Sequence, residues 1–153
     1  MKQTREDWVT EEFGGVQLGD ERLGKRLIAL VSDLARNPQM SLPRAIPNKA
    51  SLKAAYRFFD NDDVEAQAVL EQHLRQAQVR ARDHKTVLAI QDTSALDFHT
   101  HRATQGLGPT TTEGGWGLLT HNALVVSPER LPLGVIFQRV WARDPSQVRI
   151  AQT

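Results

Sequence analysis

A chain of 153 residues, 40% of them hydrophobic, can bury one core or two small ones and is too apolar to be a disordered tract. With no cysteine it has neither disulfide staples nor thiolate metal sites, and no run has the apolar length of a signal peptide or a bilayer span, so a soluble, cytoplasmic protein off the membrane is expected. Lys and Arg number 19 and Asp and Glu 18, a net charge of +1, which excludes a strong global field toward nucleic acid; such binding has to come from local clustering of cations.

The first half reads as helices. A short helix is expected before Asp20, with Trp8 and Phe13 turned inward. Asp20 is a good N-cap, and Leu23, Leu27, Leu30, Val31 and Leu34 follow on one helical face until Asn37-Pro38 ends it. The stretch "PQMSLPRAIP" has three prolines and predicts a loop without regular structure. Asn48 can cap "KASLKAAYRFFDN", where Leu52, Ala55, Tyr56 and Phe59 share a face. From Val64 to about Arg82 a further helix is indicated by Leu70, Leu74, Ala77 and Ala81, with Asp62 or Asp63 as its cap.

At Thr86 the helical period gives way to a continuous apolar run. "TVLAI" predicts a strand covered on both faces, with Asp92 at its end. A Gly- and Thr-rich loop follows, "FHTHRATQGLGPTTTEGGWG". Then "LLTHNALVV" and "LPLGVIFQRVWAR" bracket "SPER" and predict an antiparallel hairpin. Helices followed by strands indicate an α+β chain of two modules: a helical domain over 1–84, then a strand, a long loop and a hairpin over 85–153.

Advancing about 100° per residue, Arg22, Lys25, Arg26 and Arg36 fall in one sector of the helix after Asp20, with Asp33 inside it. Lys49, Lys53 and Arg57 stand four apart on the next helix. Like charges at that spacing repel by a few tenths of a kcal/mol per pair, which an anion such as a phosphate backbone would relieve. A solvent-facing basic stripe is nevertheless the commoner reason for such a pattern on any one helix. These seven residues are the candidate DNA contacts.

Asp92 invites two readings. The end of a buried strand is where open sheets place active-site groups. Aspartate before Thr-Ser is also an ordinary way to turn a chain, and on pattern alone this is the stronger reading. A pair of divalent cations for phosphodiester chemistry needs more than one carboxylate, and none of Asp97, Glu113, Glu129 or Asp144 sits at a second strand ending of this kind. His99 and His101 in "FHTH" lack a third ligand and read as an exposed loop. Trp116 in "GGWG" either reaches out to a ligand or packs at a strand start.

Four stretches, "LGDERLGKRL", "KAAYRFFDNDDV", "VLAIQDTSAL" and "GWGLLTHNALVV" leading to "FQRVWARDP", resemble in order and spacing the N-terminal part of bacterial cut-and-paste transposases of the DDE type, specifically the Tn-five-like branch. The resemblance spans nearly all of the chain. It implies a helical domain that grips double-stranded transposon ends, followed by the first strands of a ribonuclease-H-like core. By that resemblance Asp92 is the first of three catalytic acids and a ligand of Mg2+ or Mn2+. Arg26 matches an arginine that touches end DNA, and Arg36 and Lys49 fall near others. Tyr56, Arg57 and Phe58 match a "YRF" signature, and Trp116 and Trp141 fall near tryptophans that frame the first hairpin.

The chain departs from that pattern where it ends, before the strand and helix that would bring the second aspartate and the glutamate. The expectation is therefore an incomplete core that binds DNA without cutting it and holds no metal tightly. Its uncovered strands predict either a soft C-terminal half or association, with another copy or with a full-length transposase that it would regulate or inhibit. An enzyme completed by dimerisation, with one carboxylate from each subunit, is the remaining reading.

Overall fold

The computed structural model describes residues 5–101, 103–110 and 114–147. The chain divides into two compact units, Met1–Gln76 and Ala77–Thr153. The first holds helices α1 (Arg5–Phe13), α2 (Glu21–Arg36), α3 (Leu42–Ala45), α4 (Lys49–Phe59) and most of α5 (Ala66–Arg82). The second holds the end of α5, the strands β1 (Leu88–Asp97), β2 (Gly108–Pro109), β3 (Trp116–Val126) and β4 (Pro132–Trp141), and a single 3-10 turn, Pro145–Gln147. Residues 111–113 of the expected long loop lie outside the described residues.

Each helix of the first unit starts and stops for a local reason. The Asp20 carboxylate accepts the backbone N–H of Arg22 at 2.8 Å, and the Asn48 side chain accepts that of Ser51 at 2.9 Å, each satisfying one of the orphan donors of a helix start. At the end of α2 the Asn37 N–H donates to the Leu34 carbonyl. The proline-rich stretch is not wholly irregular: α3 makes one turn there, because Pro43 sits in a first turn, where no N–H is needed.

The core of this unit is Val16, Leu18, Leu27, Leu30, Ile46, Ala55 and Phe58. Fully burying side chains of this size gains roughly 1.5–3 kcal/mol each for the larger ones, so α2 and α4 are held mainly by their shared apolar faces. α1 is fastened differently. Its buried Glu12 meets His73 Nδ1 at 2.6 Å, and the buried Gln72 donates to the Glu12 carbonyl. Of the two residues expected inward, Phe13 is partly buried against the core, whereas Trp8 stays exposed and Val9, one turn before Phe13, is the fully buried residue.

α4 is rotated too. Ala55 and Phe58 are its buried residues, whereas Tyr56 and Phe59, expected on the inner face, are 50% and 59% exposed. Two adjacent phenylalanines leave the register open in the sequence. Packing selects Phe58.

In the second unit β3 is the central strand. β1 pairs with it antiparallel from Leu88↔Val126 to Asp97↔Gly117, β4 pairs along its other side from Leu119↔Trp141 to Val126↔Pro132, and β2 adds a short pairing at Trp116 and Gly117. The expected hairpin is thus present, closed by a turn in which Ser127 and Leu131 exchange contacts and Arg130 takes a left-handed φ of 68°. Gly117, Leu119, Ala123 and Val125 alternate along β3 as buried residues of one face. The end of α5 is tied to β4. Arg80 Nε donates to the Leu133 carbonyl at 2.6 Å, and Gly134, at φ +133°, leaves space that a Cβ would fill by meeting the Ala77 Cβ at 2.7 Å.

β1 departs from expectation in two ways. It is not covered on both faces but exposed along its whole length, and among the described strands it pairs with β3 alone, as a sheet edge. It also does not stop at Asp92. Thr93, Ser94, Ala95 and Leu96 continue in the ladder opposite β3, since pairing with a long neighbour satisfies their backbone better than a turn would. Asp92 therefore sits in mid-strand, opposite Asn122.

Candidate nucleic-acid interface

The seven candidate cations all lie in the helical unit, but they fall into two groups. Three are engaged by neighbouring acids. Arg22 grips the Asp20 carboxylate through its guanidinium at 2.7 Å, Lys25 reaches Glu21 at 2.8 Å, and Arg36 reaches Asp33 at 2.7 Å. The Arg22 hydrogen bonds hold the Asp20 carboxyl below the usual carboxylate range. Arg36 also stands about 15 Å along the helix axis from Arg26, at 1.5 Å per residue, so it belongs to the far end of α2.

The other four, Arg26, Lys49, Lys53 and Arg57, have no ion-pair partner among the described residues, and all four are exposed. Two hollows bring them together. In the first, of about 330 Å³, Arg26 and Arg22 of α2 stand with Arg57 of α4 around Leu23, Ala54, Phe58 and Asn61, and Asp20, already bonded to Arg22, shares the wall. The second, of about 660 Å³, is lined by Lys49, Lys53 and Arg57 with Leu52, Tyr56 and Phe59, and has Asp60 at its edge. Arg57 lines both. The result is one cationic surface across α2 and α4, with Arg57 as the shared wall.

Its surroundings set its limits. Asp20, Asp62, Asp63 and Glu65 line a neighbouring hollow with Gln17 and Ala68. Asp20 is common to this hollow and to that of Arg26 and Arg57, so a polyanion is repelled on the side of Asp62, Asp63 and Glu65. Because the four cations have no ion-pair partner among the described residues, a phosphate that reaches them breaks no ion pair seen there. Arg22 and Lys25 would first have to leave Asp20 and Glu21.

Asp92 has different company. Ser94 Oγ stands 3.4 Å from its carboxylate, Asn122 is its cross-strand neighbour, and Gln138 of β4 donates to Asn122 at 2.8 Å, making a polar row across three strands. It is one anionic ligand among neutral amides and a hydroxyl. A two-metal centre needs several carboxylates around its ions, and among the described residues no group of three or more His, Asp or Glu is arranged to hold a metal. Asp92 is the one carboxylate in this row, and holding the Mg2+ or Mn2+ that the resemblance implies would take further acids beside it. His99 is occupied by Asp97, whose carboxyl is held low by the His99 backbone N–H and ring, and His101 stacks its edge on Phe98. No helix among the described residues is long and apolar enough to cross a membrane.

One exposed feature was hidden in the sequence. Phe59 joins the wall of the larger hollow because α4 buries Phe58 instead, and no periodicity argument separates two consecutive phenylalanines. The basic residues were legible. Their division into paired and unpaired groups was legible in part, since Glu21 and Asp33 stand at helical spacing from Lys25 and Arg36.

Residues 5–64 match the family model for transposase DNA-binding. The match runs from α1 through α4 and contains all seven candidate cations and both hollows. It gives the helical region a transposase-type DNA-binding role, with DNA as its partner, and the chain combines that region with an antiparallel sheet in an α+β architecture.

Proposed function

We propose, for a chain whose N-terminal part is a transposase DNA-binding domain, that it grips the double-stranded ends of a transposon through α2 and α4 and does not cut them by itself. Lys49, Lys53 and Arg57 make phosphate contacts along α4, Arg26 makes one from α2, and Arg22, Lys25 and Arg36 contribute the surrounding field. Such contacts position the protein on duplex DNA and make its affinity depend steeply on salt. The observation that carries this reading is the set of four cations, without an ion pair among the described residues, around the two hollows that share Arg57, inside the stretch that matches the family.

The finer reading places the chain with the Tn-five-like DDE transposases and takes β1, β3 and β4 as the opening strands of a ribonuclease-H-like core. The antiparallel order β1–β3–β4 and the position of Asp92 on the first strand support it. Asp92 is then a carboxylate that needs further acids to hold a cation. A second reading, a protein that pairs with a full-length transposase and regulates it, is favoured by one observation: β1 leaves an open edge with Leu88 and Ile90 more than half exposed.

Fluorescence anisotropy with a labelled duplex tests the proposal. Binding that weakens on raising salt and on Arg57→Ala is expected. Affinity unchanged by both would refute it.

A further inference from the structure

The larger hollow is more than a basic patch. Placing each α4 residue about 100° further round than the last puts Phe59, Leu52 and Tyr56 on one side of Lys49, and Lys53 and Arg57 on the other. An apolar strip and a cationic strip therefore run side by side along one helix face. Scattered exposed apolar residues are ordinary. Two aromatic rings, each half or more exposed, beside three cations without ion-pair partners are a specific combination.

The Phe59 ring is held by a ring contact. Phe59 meets the buried Phe58 edge to face, with centroids 5.8 Å apart and planes at 77°. Its backbone sits in the last turn of α4, whose closing bond runs from the Asp60 N–H to the Tyr56 carbonyl. Tyr56 is one turn before Asp60, on the apolar strip with Leu52 and Phe59. A volume of about 660 Å³ is in the range of ligand-binding clefts, roughly 300–1,000 Å³.

We infer that this hollow is a subsite for an unstacked nucleobase: the base lies on the Tyr56 and Phe59 rings while Lys49, Lys53 and Arg57 hold the phosphates on either side of it. The inference rests on the DNA-binding reading above and adds that the protein prefers DNA with unpaired bases to a fully paired duplex. Charge complementarity selects the occupant. The hollow has three cations to one carboxylate, Asp60, which suits a polyanion, and an apolar strip, which suits the one polyanion that also offers flat π-faces. A fully paired duplex presents its phosphates to the cations but keeps its bases stacked away from the rings.

The test compares two labelled probes of the same mixed sequence, one fully paired and one with a central run of mismatches, by anisotropy at a single salt concentration. A stacked base contributes enough to give roughly a tenfold preference for the mismatched probe. Tyr56→Leu should abolish that preference, and Tyr56→Phe should keep it. A 2-aminopurine placed in the mismatched run should lose fluorescence on binding the wild-type protein. Equal, tight binding of both probes, with unquenched 2-aminopurine, overturns the base subsite and leaves the duplex reading standing. Binding of neither probe overturns both.

Discussion

Arg26 of α2 and Arg57 of α4 line the same hollow, with Ala54 and Phe58 in its wall and no carboxylate paired to either arginine among the described residues. The relationship follows from the core. Leu27 and Leu30 of α2 and Ala55 and Phe58 of α4 bury against one another, and the residues beside them in sequence are carried to the rim of that contact. The same packing that stabilises the unit thereby assembles its charge.

Arg57 lines both hollows and Lys25 neither. Arg57→Ala should weaken duplex binding about tenfold, the size of one lost charge-assisted hydrogen bond of roughly 1.4 kcal/mol, while Lys25→Ala, already paired to Glu21, should change it less than about twofold. Anisotropy titrations of the two variants, with circular dichroism to show that both remain helical, check this.

Asn48 starts the helix that carries three of the four cations. Asn48→Ala removes the bond to the Ser51 N–H and should cost about 1 kcal/mol in unfolding free energy, whereas Asn48→Ser should cost much less. Urea titration of the two variants separates the cap from a general effect of substitution.

Gly134 makes the close approach of α5 to β4 possible. Gly134→Ala places a methyl against Ala77 and strains a backbone at φ +133°, so a loss of about 1–3 kcal/mol is expected, read as a lower denaturant midpoint with unchanged slope. Gly106→Ala, also at positive φ but with open space around it, should be milder.

The Asp20 carboxyl has a lower folded than unfolded affinity for protons, because Arg22 holds the charged form. Its contribution to stability is therefore present above the unfolded carboxylate value, near 3.9, and is lost as pH falls through the depressed folded value. Asp20→Asn keeps a capping side chain and removes that linkage. The stability difference between wild type and Asp20→Asn should shrink as pH is lowered below about 4, with the remaining acid sensitivity left to Asp97, Glu129 and Asp144, which are also held low.

Helices were readable wherever a cap and a period agreed, Asp20 with the leucines of α2 and Asn48 with α4, and the hairpin was readable from its two apolar runs around "SPER". The sequence was less informative where the outcome depends on what packs against what. "VLAIQDTSAL" looks like a strand with a polar stop, yet Asp92 lies within it, because the ladder to β3 extends past the apolar run and an edge strand tolerates polar residues on both faces. Tyr56 and Phe59 were expected inside for a similar reason: hydrophobicity marks a residue as able to be buried, and only the competition with Ala55 and Phe58 decides which are. For the cations, charge spacing located the candidates, while the ion pairs to Asp20, Glu21 and Asp33 decided which of them are free to meet a phosphate.

The measurement that bears most directly on the central claim is the salt dependence of duplex binding for the wild-type chain against the combined variant Arg26→Ala, Lys49→Ala, Lys53→Ala and Arg57→Ala. Four phosphate contacts predict a slope of log K on log salt of about −3.5 for the wild type, falling most of the way to zero in the variant. Equal slopes in the two proteins, with both still folded, would contradict the assignment of this surface to DNA.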